Sequence, residues 1–240
     1  MASRTFCIPG ILFLFAAFVL NLLVSISLPA LPALDIVRSH FTSPSGHGLA
    51  TVTESSVPNE SIDQIRYGIW AYCIYNAQSN DRTCVDPGHG YTTQVHSGTS
   101  SVTIKSSWTR GLAVHPVAAA VTFIALVFGF STHITLTLIS SLTAFLAALL
   151  TLIAFAIDIA LYAFVHDKQN NLSGVHVRTV AGPGFWITLA ALLLLLLGGC
   201  TVCFGRRRER MSGATSYGYP SKPGVFGRLR TPFRRRGNAV

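Results

Sequence analysis

The stretch GPGFWITLAALLLLLLGGCTVCFGRRRER, residues 182–210, decides how the rest of the chain is read. Before Arg206 it holds no charge, and its centre is a run of six leucines at 192–197. About 20 apolar residues of helix cross a hydrocarbon core roughly 30 Å thick. Arg206, Arg207, Arg208 and Arg210 then follow at once. Basic residues flanking a span mark its cytosolic end. The stretch therefore reads as a membrane span with its C-terminal end in the cytosol.

Working outward, three more runs have the same character. Spans are expected at residues 6–28, 112–130, 139–165 and 183–204. The third lies within a longer apolar stretch, with room to tilt or to extend past the bilayer. Each span must be helical, because lipid offers no partner to an unpaired backbone group. Composition agrees: of 240 residues half are hydrophobic and 11% are charged, against about 25% in soluble domains. The formal charge of +9 is regional. Residues 206–240 hold ten of the eighteen Lys and Arg. That excess describes a tail and not a nucleic-acid-binding domain, so no nucleic-acid partner is expected.

Arg4 ahead of an apolar run also fits a signal peptide. The run exceeds the usual h-region of about 7–15 residues, and the small-residue sites after Ala30 and Ala33 have leucine at the minus-three position. A retained anchor is expected. Four spans with a cytosolic C-terminus place the N-terminus in the cytosol too. Outside lie a long loop, 29–111, and a short one, about 166–182. The acceptor sequons at Asn59 and Asn171 fall one in each outside loop, as glycosylation there would require.

Cys73 and Cys84 are the long loop's two cysteines. On the oxidising side of a membrane they are expected to form a disulfide. Around them Tyr67, Ile69, Trp70, Tyr72, Ile74 and Tyr75 are β-formers, and residues 91–108 are rich in Thr, Val and Ser. The fold class expected is all-α transmembrane: a four-helix bundle with a small disulfide-linked extracellular antiparallel β-sheet, Trp70 packing toward the membrane. The histidines lack metal-ligand spacing and no nucleophile–base set emerges. No catalytic residue, metal site or cofactor is expected.

The motif GIW-x2-C-x10-C (Gly68, Ile69, Trp70, Cys73, Cys84) in the loop after a first span resembles the signature of claudin-like four-span proteins. The whole layout is more similar to the PalI family of fungal pH-response regulators, related to the Sur7-type eisosome proteins. The stretches VSISLPALPALDIVR, GFSTHITLTLISSLTAFLAALLTLIAFAIDIALYAFV and GPGFWITLAALLLLLLGGC carry that likeness, which covers residues 1 to about 211. It implies a non-enzymatic accessory protein of the plasma membrane in ambient-pH signalling. The protein partner would be a larger pH receptor. The alternative it implies is an organiser of membrane microdomains, with eisosome components as partners. A transporter or channel is disfavoured, because no span carries the Gly/Pro interruption of a midplane substrate site.

Among the polar residues within the spans, Asp158, His115 and Asn21 stand out. Asp158 costs about 2.5–3.5 kcal/mol if central and ionised. It is expected to be a hydrogen-bonded structural carboxyl, with a proton sensor coupled to helix packing as the sharper alternative. His115 is expected at the interface, and Asn21 to bond between helices. The small-residue runs 118–120 and 147–148 permit close helix approach. At the cytosolic end Cys200 and Cys203 are either palmitoylation sites or packing thiols. The arginines after them should meet the anionic inner-leaflet lipids. Residues 1–211 form the membrane domain, and 212–240 are expected to be a disordered basic cytosolic tail. The oligomeric state is open.

Overall fold

The computed structural model describes residues 4–42, 50–52, 62–76, 81–85, 88, 90–131 and 134–215; the side chains of 4–8, 134, 137 and 201–215 lie outside that description. Four long helices and a two-sheet β region make up the fold. The helices are α1 (Arg4–Ser25), α3 (Val114–Gly129), α4 (Ile134–Asn170) and α5 (Pro183–Thr215). A one-turn helix α2 (Ser106–Thr109) and a 3-10 turn (Arg110–Ala113) lead into α3.

By length and composition three described helical runs are able to cross a membrane: Ser106–Gly129, Leu138–Asn170 and Pro183–Cys200. The fourth helix, α1, has 22 residues, about 33 Å at 1.5 Å per residue. Its described apolar part is Pro9–Ser25. The helices form a closed ring in which α1 and α4 each pack against both α3 and α5. Small residues fill the centre of the ring: Ala17, Ala125, Ala144 and Ala147 are buried with Leu14 and Leu195. Large apolar side chains point out instead, with Leu142 73% and Phe145 69% exposed. In water such a belt would drive aggregation; lipid is its natural surroundings.

At 37 residues α4 is about 55 Å long and outruns the bilayer core. Its last turns leave the bundle and carry Leu161 and Val165 into the core of the β region. That region holds β1 (Val37–Thr42), β2 (Ala50–Val52), β3 (Ile62–Tyr67), β4 (Tyr72–Asn76), β5 (Arg82–Val85), β6 (Thr93–Ser97), β7 (Ser100–Ile104) and β8 (His176–Ala181). They make two antiparallel sheets, ordered β5-β4-β3-β1-β8 and β2-β6-β7. Buried between the sheets and α4 are Tyr67, Tyr72, Tyr91, Phe41, Ile65 and Ile104.

Several details differ from the sequence reading. There are two sheets where one was expected. The short loop supplies the edge strand β8, which pairs with β1 from Val37↔Ala181 to Thr42↔His176. Six residues of HVRTVA carry too weak an alternation to announce a strand; pairing with β1 specifies it. Ile69 and Trp70 lie in the turn between β3 and β4, and residues 106–108 are helical. At Gly68 an added Cβ would stand 2.6 Å from Leu28 Cβ. Only glycine fits there, and the turn that follows is closed by a 3.0 Å bond from Gly68 N to Ala71 O. Helix α5 also continues to Thr215, past the expected end of the span. Residues 216–240, the rest of the expected tail, lie outside the described residues.

Candidate functional site

The GIW turn is where the β region grips the bundle. The Trp70 indole Nε1 donates to Ser25 O at 2.7 Å, and Ile69 N donates to Ser27 Oγ at 3.1 Å. Ser25 is the last residue of α1, so its carbonyl lacks an intrahelical donor. The indole caps it. On the turn's other side Tyr91 Oη donates to Gly68 O at 2.8 Å, and Thr109 Oγ1 donates to Tyr91 O at 2.8 Å. Gln169 Nε2, at the end of α4, donates to Tyr67 Oη at 3.0 Å. Burial pushes the Tyr67 and Tyr91 phenols well above their ordinary value, so both stay neutral hydroxyls. The bonded pair Cys73–Cys84 joins β4 to β5 at directly opposed positions. Cys73 is fully buried against Leu28 and Ala71.

The second constellation lies inside the bundle, just below the β region. His115 on α3 and Asp158 on α4 meet with Nε2 and Oδ1 3.1 Å apart, and both are buried. His115 is two residues into α3 and 2% exposed. It is thus a bundle-facing partner of Asp158, where a plain interfacial histidine was expected. The second carboxyl oxygen, Oδ2, is buried with no hydrogen-bond partner among the described residues. The contact bonds α3 directly to α4.

Deeper in the bundle Asn21 Nδ2 donates to Thr122 Oγ1 at 3.3 Å and to Thr151 Oγ1 at 3.4 Å. One amide thus ties α1 to α3 and α4. Each threonine hydroxyl also donates to its own helix, to Ala118 O and Ala147 O. Ala118, Ala119, Ala147 and Ala148 are buried beside these contacts.

Around the same end of the bundle runs a level of aromatic side chains. Trp108 stacks on Phe164 with centroids 4.3 Å apart, and Phe185 meets Tyr162 and Trp186. Amphipathic rings gather at membrane–water interfaces. Asn171 is exposed just after α4, on the side of the β region; Asn59 lies outside the described residues. Cys200 is an exposed free thiol on the outward stripe of α5 with Leu193, Leu196 and Leu197. The backbones of Cys203, Arg206, Arg207, Arg208 and Arg210 are helical, and their side chains lie outside the described residues. Among the described residues no group of three or more His, Cys, Asp or Glu is placed to hold a metal ion.

Sequence reasoning missed Ser27, Tyr91, Thr109, Thr122, Thr151 and Gln169. Each is a single hydroxyl or amide whose partner lies many residues away, and no local pattern marks it.

A sequence profile of the SUR7/PalI family matches residues 6–198. The chain is 30% identical over 176 residues to the pH-response regulator protein palI/RIM9 of Emericella nidulans, an alignment covering 66% of this chain and 28% of that protein. The chain thus spans less than two thirds of that relative's length. The matched region takes in the GIW turn, the disulfide and the His115–Asp158 pair.

Proposed function

The chain belongs to the SUR7/PalI family, and on that premise we propose that it is a non-enzymatic plasma-membrane accessory in the response to ambient alkaline pH, assisting a larger membrane pH receptor. The likeness to a protein named as a pH-response regulator carries this reading. The chain is a membrane protein whose β region is built on the helix ends of its bundle. In the proposed orientation both termini are cytosolic and the β region is outside. Two features support it: the disulfide, which belongs to an oxidising compartment, and the arginines after the last span. In that orientation Asn59 and Asn171 are glycosylation acceptors. Cys200 and Cys203 are palmitoylation candidates at the inner leaflet, and Arg206–Arg208 and Arg210 meet its anionic lipids. Residues 212–240 serve as the basic tail.

The receptor would be recognised by the assembled bundle and β region together, and the buried His115–Asp158 contact, which joins α3 to α4, is the element of the bundle through which a pH signal would pass. The test is deletion of the gene followed by growth at alkaline pH and measurement of the receptor's surface level. Alkaline sensitivity with a depleted receptor is expected. Normal alkaline growth, with loss of static plasma-membrane patches, would instead establish a second reading: a Sur7-like microdomain scaffold, which the joint family profile favours. Asp158→Asn refines the test. Normal signalling at normal surface level would reduce Asp158 to a structural carboxyl.

A further inference from the structure

The five-stranded sheet sorts the charges of the β region onto one face. Cross-strand partners share a face. The register aligns Arg178 on β8, His40 on β1, Gln64 on β3, Tyr75 on β4 and Arg82 on β5 in one row across all five strands. The neighbouring row runs Val180, Arg38, Arg66, Cys73, Cys84. The opposite face carries Ile65, Tyr67, Tyr72 and Ile74 into the core.

The two rows differ in access. Segment 28–34 covers the second: Leu28 packs on Cys73, and Arg66 Nη1 donates to Pro32 O at 3.1 Å. Arg38 is engaged by the buried Asp35, with bonds of 3.0 and 2.7 Å. In the first row Arg178 and Arg82 are exposed at opposite edges, with half-buried His40 and Tyr75 and the buried Gln64 between them. Neither Arg178 nor Arg82 forms an ion pair among the described residues. Exposed His176 lies one step further out, across from Thr42. The nearby carboxylate that His40 feels is Asp63, against the guanidinium groups of Arg38, Arg66 and Arg178. The row is therefore basic at both edges, with Gln64 at its centre and the Tyr75 ring beside it. Arg66 stacks on that ring at 4.3 Å from the Tyr75 centroid.

We propose that this row is a docking surface for an acidic, extended segment of a partner protein. The geometry sets the segment's length. Four strand spacings of about 4.8 Å place the edge arginines roughly 19 Å apart, which an extended chain covers in about six residues. Two acidic clusters about six residues apart fit. Height argues against lipid headgroups as the occupant. Arg178 lies five residues before Pro183, the start of α5, which lets the row stand up to about 16 Å beyond the helix end. Headgroups extend only about 5–8 Å past the hydrocarbon.

The test uses the full chain in neutral-lipid nanodiscs and a fluorescein-labelled peptide with two Glu pairs six residues apart, read by anisotropy. Saturable binding that weakens with salt is expected. In the Arg82→Gln/Arg178→Gln double variant it should fall about tenfold, as expected for losing two exposed charge contacts. An even spread of the same Glu residues along the peptide should bind less well. Absence of saturable binding, or an unchanged Kd in the double variant, overturns the proposal. So does tighter capture of polyphosphate or of vesicles rich in phosphatidylserine. The exposed arginines are outside both cores, and an intact disulfide with unchanged circular dichroism verifies the variant's fold. The inference stands apart from the pH reading, since purified chain either binds the peptide or does not, whatever the deletion phenotype.

Discussion

In the bundle the buried side chains are mostly small, Ala17, Ala125, Ala144 and Ala147 beside Leu14, Leu126, Leu195 and a few polar groups, whereas in the β region they include Tyr67, Tyr72, Tyr91 and Phe41. The contrast follows from the two solvents. Burying an aromatic ring away from water stabilises a fold by a few kcal/mol. Between helices in lipid that force is absent, because the tails are as apolar as the side chains. Helices there associate through close approach and a few polar contacts. So the bundle's polar contacts and the β region's staples should differ in how much each one carries, and single substitutions measure it.

The largest effect is expected at the pair inside the bundle. Removing one partner of a buried pair strands the other without its bond, at a cost of about 1–3 kcal/mol for a polar group and about 3–5 kcal/mol for a charged one. His115→Ala should therefore sharply lower the unfolding midpoint in detergent. The double replacement His115→Phe/Asp158→Leu should recover much of the loss, because no unpaired group remains. Equal losses in the single and double variants would show that packing volume, not pairing, is what the site supplies. In the β region the corresponding change is Cys73→Ala/Cys84→Ala. The bond closes a loop with a sequence separation of 11, and a loop of that size is worth about 2–3 kcal/mol. Urea unfolding followed by Trp fluorescence is the measurement. Loss of the β region's signal ahead of the helical signal would sharpen the contrast; loss of both together would erase it.

A smaller effect belongs to the junction. Trp70→Phe keeps most of the ring and removes the Nε1 bond to Ser25 O. A single neutral hydrogen bond contributes about 1 kcal/mol. Hydrogen exchange should rise at the end of α1 and in the β3–β4 turn, while the mid-bundle amides keep their protection. A uniform rise would mean that the turn anchors the whole molecule.

The legible part of the fold follows from the same contrast. Long apolar runs announce helices in lipid with little help from context, so α3, α4 and α5 stand out in the sequence. The GIW motif marks its turn because Gly68 has no room for a side chain, and Cys73 and Cys84 mark their strands. Hidden from the sequence were features made by pairing. The strand β8 owes its form to β1. The partner of Asp158 lies 43 residues away at His115. The loop 29–111 has a near balance of basic and acidic residues, so the basic row becomes visible only once the register aligns it.

The smallest effect is the pH response of the open row. Burial lowers the His40 pKa from 6.5, and Arg38, Arg66 and Arg178 push it the same way, with Asp63 opposing. The local bonding suits the neutral ring: Gln64 Nε2 donates to His40 Nε2 at 3.2 Å, while Arg66 Nη2 donates to Gln64 Oε1 at 3.2 Å. A protonated His40 would set a donor against the amide nitrogen. The amide would then have to turn its nitrogen toward Arg66. Between the folded pKa and 6.5 the unfolded chain binds more protons, so stability rises with pH through that window. The contribution is complete above about 6.5 and is lost as pH falls through the folded value. His40→Gln removes the titration. The variant's stability between pH 5 and 7, compared with the parent's, should therefore have a shallower slope, with the two curves parallel above pH 7. Identical slopes would mean that another group carries the acid sensitivity of the β region.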